Sequence, residues 1–324
     1  MSNNAIKLSY IITTRNKLAF LRESLSRLAK NIASDEEIIV VDGASNDGTG
    51  EYLRGALERG EIHQLISEPD AGEAHGFNKG VLRARGELIK LITDDDVFYF
   101  PSINLAKKYM LTNDDVDILF SDGLFLSREN GCLKVFHWAG LYRFHEWRTT
   151  GRPFHYNGLG IMLRRASLPL LGLFHPCAII IDIEYSLRVS SLKARIAWMT
   201  STNYVHVLRP QSNSVTLKKR YDDELERLYQ FYRESRDAPE ILASLRQAGK
   251  AILKAPRRVA GKVARCLGLR APAPIFPPAA FFQVDDFELP LDQFYDKIER
   301  WLARQTTLEP PQIISGRRGD GGAS

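Results

Sequence analysis

Three cysteines, Cys132, Cys177 and Cys266, are all that the 324 residues contain, and they stand too far apart for metal-ligand spacing. Their scarcity excludes a disulfide framework and points to a reducing compartment. No run of 18 apolar residues occurs, and the longest candidate, LPLLGLFHPCAIII, is interrupted by His175 and Pro176. The opening MSNNAIKLSYIITT has neither the basic start nor the small-residue cleavage site of a signal peptide. A cytoplasmic chain without a membrane span is expected. The stretch TTRNK after the first apolar run is free of glycine, which argues against the Gly-rich phosphate loop of a nucleotidyltransferase. Acidic residues are missing altogether from 246–270, where eight Lys or Arg fall, so the net charge of +5 is a local property of that segment.

What is present reads as an ordinary globular composition, 44% hydrophobic and 26% charged. LSYIIT (8–13) is a short buried strand, and Leu18, Leu21, Leu25, Leu28 and Ile32 then recur at helical spacing. EEIIVVD (36–42) is a second strand, followed by a turn-rich loop and a helix with Tyr52, Leu53, Ala56 and Leu57 inward. IHQLIS (62–67) is a third, followed by a helix that buries Ala74, Phe77, Val81 and Ala84. This alternation predicts a parallel sheet with right-handed crossovers, a Rossmann-like α/β domain. Beyond Pro101 the pattern changes: β-rich segments flank Arg128-Glu129-Asn130-Gly131 as a hairpin, so the second half is mixed. Residues 182–193 read as a helix, 195–207 as a strand and 219–234 as a charged helix. The expected organisation is a catalytic domain over 1–216, a helical C-terminal module over 217–310, and a disordered tail over 311–324.

The stretch ELIKLITDDDVF organises the rest. A buried strand, Leu88 to Thr93, ends in Asp94, Asp95 and Asp96, at the kind of position where open α/β sheets bind ligands. Adjacent carboxylates repel unless a cation neutralises them, and oxygen ligands suit Mg²⁺ or Mn²⁺ together with a substrate phosphate. A solvated acidic turn is the plainer alternative.

LSYIITTRNK, EIIVVDGASNDGT and SEPDAGEAHGFNKGVLRARGELIKLITDDDVF, in that order, resemble the GT-A fold, family 2 glycosyltransferases, over roughly residues 6–216. The resemblance implies an inverting enzyme that takes a sugar from a nucleotide-diphosphate donor, UDP being the favoured nucleotide, with Mn²⁺ or Mg²⁺. It implies that Thr13, Thr14, Arg15 and Asp42 line the nucleoside pocket, that Asp70 orients donor-side groups, and that Asn78 and Lys79 face the phosphates or sugar. The triple acid matches the DXD motif, with Asp96 as the direct metal ligand and Asp94 bound through water or to the donor ribose. Asp95 shares the assignment, because three adjacent Asp leave the register open by one residue. One departure stands out: relatives carry Asp-Ala where this chain has His75-Gly76.

In the second half, HYNGLGIMLRRASLPLLGLF and IIIDIEYSLR resemble the acceptor-side block of the same family. Asp182 matches its general base. Asp182 and Glu184 point about 200° apart on a helix and cannot share one role, so the choice falls on Asp182, with Glu184 as the base and Asp182 as a helix cap the alternative. His206 stands where relatives carry a His before a Ser-containing loop that closes over the diphosphate, and is either a metal ligand or a buried structural His; His155 heads the acceptor block. Trp138, Trp147 and Tyr156 are either sugar-stacking or core aromatics. Leu245, Ile252, Val259, Val263 and Leu267 share one helical face within the basic segment 245–270, which reads as a helix for an anionic membrane surface and not for nucleic acid. The expected product is a sugar on a glycan or lipid-linked acceptor, in polysaccharide or glycolipid synthesis. A catalytically silent sugar-nucleotide or glycan-binding partner is the competing class.

Overall fold

The computed structural model describes residues 5–129, 131–138, 140–209, 212, 216–234, 281–308 and 311–320. The basic segment 245–270 lies outside the described residues. Among these residues, no helix is long and apolar enough to cross a membrane.

Strands β1 (Leu8–Thr14), β2 (Glu36–Asp42), β3 (Gln64–Ser67) and β4 (Leu88–Thr93) pair in parallel in the order β4-β1-β2-β3. Their near-continuous Val, Ile and Leu content suits strands covered on both faces. Helices α1 (Leu18–Asn31) and α2 (Thr49–Glu58) cover one face through Leu21, Leu25, Leu28, Leu53 and Ala56. Leu57, expected inward, is 40% exposed because it faces away from the stripe that meets the sheet. Helix α3 (Glu73–Arg83) covers the other face with Ala74, Phe77 and Val81. It lies so near the sheet that a Cβ on Gly80 would come within 2.3 Å of Ile11 Cγ2. Register aligns Thr14 with Asp42 and Thr13 with Thr93, so the carboxyl ends of three strands form one rim.

The rest of the chain extends this sheet and adds a second. Strand β5 (Val97–Phe98) and helix α4 (Phe100–Thr112), which carries Pro101 in its first turn, follow the triple acid. Strand β6 (Ile118–Ser121), the hairpin β7 (Gly123–Glu129) and β8 (Cys132–Trp138), helix α5 (Leu141–Thr150), strand β9 (Met162–Arg164) and the short helix α6 (Leu168–Leu171) come next. Helix α7 (Ile181–Ser191), strands β10 (Ile196–Met199) and β11 (Tyr204–Leu208), helices α8 (Lys218–Tyr229) and α9 (Leu291–Leu308) and strand β12 (Ile313–Gly316) complete the series. The large sheet runs β12-β10-β6-β9-β4-β1-β2-β3, and the small one β5-β11-β7-β8.

The single strand expected over 195–207 is two strands in two sheets. Both β6 and β10 leave the large sheet at the same level and continue as β7 and β11 in the small one, parallel to each other before and after. Asp122, buried at the crossing, accepts from Gly140 N–H and Trp198 Nε1, each at 3.1 Å.

The described parts of 217–310 are not a separate module. Helix α9 buries Phe294, Tyr295, Ile298, Trp301 and Leu302 against Leu124, Leu126, Val205 and Val207 of the small sheet. Arg27 of α1 ties it down through Asp296 at 2.7 Å and Glu299 at 2.8 Å. Nor is the tail disordered over 313–316, where β12 pairs antiparallel with β10 at the sheet edge. Burial of apolar area and an open strand edge outweigh the low complexity of the neighbouring residues.

Candidate active site

The turn between β1 and α1 is built to aim one side chain. Asn16 adopts φ 55°, a left-handed conformation that Asn tolerates, and is held by the loop after β2. Its N–H donates to Ser45 Oγ at 2.8 Å and its side-chain oxygen accepts from Asn46 N–H at 2.8 Å, while Leu18 N–H reaches Asp47 at 3.0 Å. Lys17 is thereby placed with its ammonium 3.2 Å from Asp94 Oδ1 and 2.7 Å from Asp95 Oδ2. Burial alone would lower the ammonium's pKa, but the two carboxylates outweigh it and raise it. Asp94 also accepts from Thr14 Oγ1 at 2.8 Å. Burial pushes its carboxyl up to about 7, with Lys17 opposing the rise.

Asp96 is nearly inaccessible and fully engaged. Oδ1 accepts from His206 Nδ1–H at 2.8 Å and Val207 N–H at 2.9 Å, and Oδ2 accepts from Thr93 Oγ1 at 2.6 Å. Burial would raise this carboxyl, yet the imidazole and these donors bring it below the usual range. Burial would lower the imidazole's pKa, but Asp96 raises it, and Nε2 is an acceptor only in the neutral ring. Nδ1 is turned to the carboxylate, which leaves Nε2 as the other ring nitrogen. This is how a carboxylate orients an imidazole toward a metal, rather than how it binds one itself. Asp95, by contrast, keeps Oδ1 free of partners among the described residues, and its charge reaches His206. Asp96 is taken up by His206, Val207 and Thr93, and Asp94 is turned to Thr14 and Lys17, so Asp95 Oδ1 is the oxygen of the triple acid left without a partner among the described residues. Among the described residues no three His, Cys, Asp or Glu side chains group as a metal site.

Asp182 lies in the first turn of α7, where its Oδ2 accepts from Gly158 N–H at 3.1 Å and its Oδ1 from Ile183 N–H at 2.9 Å. It is not the N-cap, a position held by Ile180. Burial raises its carboxyl above the ordinary range, although these two N–H groups pull the other way. Its charge is felt by Glu73, Tyr204, Tyr221 and His206, so it faces the same centre as the triple acid. Glu184 is spent elsewhere, on Arg188 at 2.8 Å.

Two residues belong to this centre that the sequence reading did not single out. Lys17 is one, and only a lone basic residue in the β1–α1 turn could have signalled it. Glu73 is the other. Open to solvent yet surrounded by protein on the scale over which charge is screened, its carboxyl rises to about 7; Lys17 opposes the rise, and Asp182, Asp95 and Asp96 add to it.

The other expected residues are distributed unevenly. Thr13 and Arg15 sit at the rim, half-buried and exposed. Asp42 is buried beneath it, accepting from Ser45 Oγ at 2.5 Å and Ser67 Oγ at 2.8 Å. Asp70 fills space that Gly43 and Gly76 leave open: a Cβ on Gly43 would stand 2.6 Å from its Oδ2, and one on Gly76 3.4 Å. Gly76 thus makes room for Asp70, and His75 Nδ1 caps Ala71 N–H at 3.0 Å. Asn78 does not face phosphates; its amide donates to Phe174 O at 2.8 Å and accepts from Phe174 N–H at 2.9 Å, bridging α3 to the loop after α6. Lys79 is tied to Glu68 at 2.9 Å and Pro69 O at 2.9 Å. His155 is buried between Tyr229 Oη at 2.6 Å and Arg143 at 3.1 Å. Trp147 and Tyr156 are core.

Comparison with known proteins bears on the family and the fold. The model of glycosyl transferase family 2 matches residues 9–168. Those residues are a family 2 glycosyl transferase domain. An uncharacterised glycosyltransferase of Methanocaldococcus jannaschii is 29% identical over 141 residues, 43% of this chain and 48% of the relative. The chain thus spans about half the length of that relative. A PGL/p-HBAD biosynthesis glycosyltransferase of Mycobacterium bovis is 25% identical over 203 residues, covering 62% of this chain and 74% of that one. The mannosyltransferase PcManGT of Pyrobaculum calidifontis, solved with GDP-Man and Mn²⁺, shares the fold of this chain. Its TM-score is 0.52 at 16% identity, over 94% of this chain and 87% of the other. The expected GT-A α/β class with a mixed second half is the one observed.

Proposed function

We propose that this family 2 chain transfers a sugar, with inversion, from a nucleotide-diphosphate donor to a hydroxyl of a glycan or lipid-linked acceptor. The observation that carries the reading is the gathering of Asp182, Glu73, Lys17, Asp95 and His206 around one centre at the strand rim, across the join between the two halves.

Thr13 and Arg15 offer backbone and side-chain donors to the nucleoside at the rim, while Asp42 shapes the loop beneath it through Ser45 and Ser67. Lys17 neutralises Asp94 and Asp95, so that an anionic donor can approach three adjacent carboxylates. Asp95 and His206 would hold Mn²⁺ or Mg²⁺, and a divalent ion there supplies Lewis-acid stabilisation of the departing diphosphate. Asp182 takes the proton from the acceptor hydroxyl, a task suited to a carboxylate whose proton affinity burial has raised. A UDP sugar is the favoured donor, and the acid-free basic segment would bring the enzyme to the cytoplasmic face of an anionic membrane, where lipid-linked acceptors lie.

Thermal unfolding of the full chain with UDP, GDP, dTDP and CMP sugars, each with Mn²⁺ and with chelator, tests this. One diphosphate sugar should raise the melting temperature in Mn²⁺ and lose most of the effect in chelator. No shift with any donor would overturn the reading.

A further inference from the structure

Lys90 has no ion-pair partner among the described residues. It lies on β4 four residues before the triple acid, is 1% exposed, and has burial as the one cause that shifts it, down to about 7. An isolated ammonium in such a place is costly, so a protein retains it for what it holds. Its Nζ donates to Leu159 O and, at 3.2 Å, to Ile161 O, and lies 5.3 Å from the centroid of the Phe98 ring.

Those carbonyls belong to the middle residue and to the C-cap of the single turn of 3-10 helix at Gly158–Gly160. Ser121 Oγ takes the carbonyl between them, Gly160 O, at 3.2 Å, and Asn157 Oδ1 caps Leu159 N–H at 2.9 Å. The turn is therefore pinned to the large sheet from below. Its first residue presents the N–H that binds Asp182 Oδ2 at 3.1 Å. It also packs against Asp182 so closely that a Cβ on Gly158 would lie 3.0 Å from Asp182 Cβ.

We infer that Lys90 is a positioning residue for Asp182: its ammonium clamps the Gly158–Gly160 turn to β4 and so fixes the backbone donor that orients the Asp182 carboxylate. Lys90 touches no substrate. The strand that delivers the triple acid on the donor side thereby also sets the geometry of the acceptor-side carboxylate. The inference rests on the reading of Asp182 as the base.

The test is a carbon-13 carboxyl titration of Asp182 in wild-type protein and in Lys90→Met, with folding checked by thermal melting. Asp182 is faced by Gly158 N–H and Ile183 N–H, and by the charges of His206, Glu73, Tyr204 and Tyr221. Loss of the Gly158 donor removes one group that favours the ionised form, so the midpoint should rise by about half a unit to one unit. Transfer should fall about ten- to a hundredfold in kcat, with the donor KM little changed. If Lys90→Met does not fold, Ser121→Ala, which releases the same turn at Gly160 O, should move the Asp182 midpoint in the same direction by less. A folded Lys90→Met, or failing that Ser121→Ala, with an unmoved Asp182 midpoint would overturn the inference. The titration uses neither donor nor acceptor, so failure of the transferase reading would show separately, as absence of transfer by the wild-type protein.

Discussion

The end of β4 and the start of α7 both present carboxylates to the same centre, and the protein surrounds them with different partners. At the end of β4 each acid meets a cation or an imidazole: Lys17 spans Asp94 and Asp95, and His206 meets Asp96. At the start of α7, Asp182 meets two backbone N–H groups and, among the described residues, no cation within ion-pair distance. The outcome is a carboxyl held below the usual range at Asp96 and above it at Asp182, and above it at Asp94 as well, where burial outweighs Lys17. A carboxylate already satisfied by His206, Val207 and Thr93 has little appetite for a proton, whereas one that has lost water and gained only neutral donors has more. Division of labour between chemically identical side chains thus follows from what each is packed against.

The comparison is sharpest at Asp182. Asp182→Asn should cut transfer about a hundred- to ten-thousandfold while leaving metal-dependent donor binding nearly intact, as read by turnover and by calorimetry on the same preparation. Wild-type turnover in that variant would break the assignment. A smaller effect is expected in pH dependence. Because the base must be ionised and its pKa is raised, kcat/KM should rise with pH through a midpoint above that of an ordinary Asp. Glu73→Gln removes the other raised carboxyl of this centre, so a limb that persists in that variant belongs to Asp182 and not to Glu73. A limb at the ordinary Asp position in both proteins would show that Asp182 is not the group titrating. The smallest effect lies outside the chemistry. Asn78→Ala breaks both hydrogen bonds to Phe174 and should cost about 2 kcal/mol of stability in denaturant unfolding, without selective loss of donor binding. Selective loss would return Asn78 to the donor site.

Legibility followed locality. The first four strands, the helices between them and the hairpin were readable because each writes its period into adjacent residues, as Ala74, Phe77, Val81 and Ala84 do for α3. The division of 195–207 between two sheets was not, since Ser201, Thr202 and Asn203 carry no breaker and are buried only because Asp122 and the β6–β7 crossing lie beside them. The fate of Lys79 was equally hidden. A lysine on a helix reads the same whether a phosphate or Glu68 awaits it.

The order of apolar runs and acidic strand ends was enough to determine an α/β sheet with its chemistry at the carboxyl rim, since both depend on neighbours in the chain. Which of three adjacent aspartates is free, which imidazole nitrogen is presented, and which lysine clamps a turn 69 residues away were decided by tertiary structure alone. Hydrogen bonds and desolvation act across space, and their partners are brought together only when the sheet has closed.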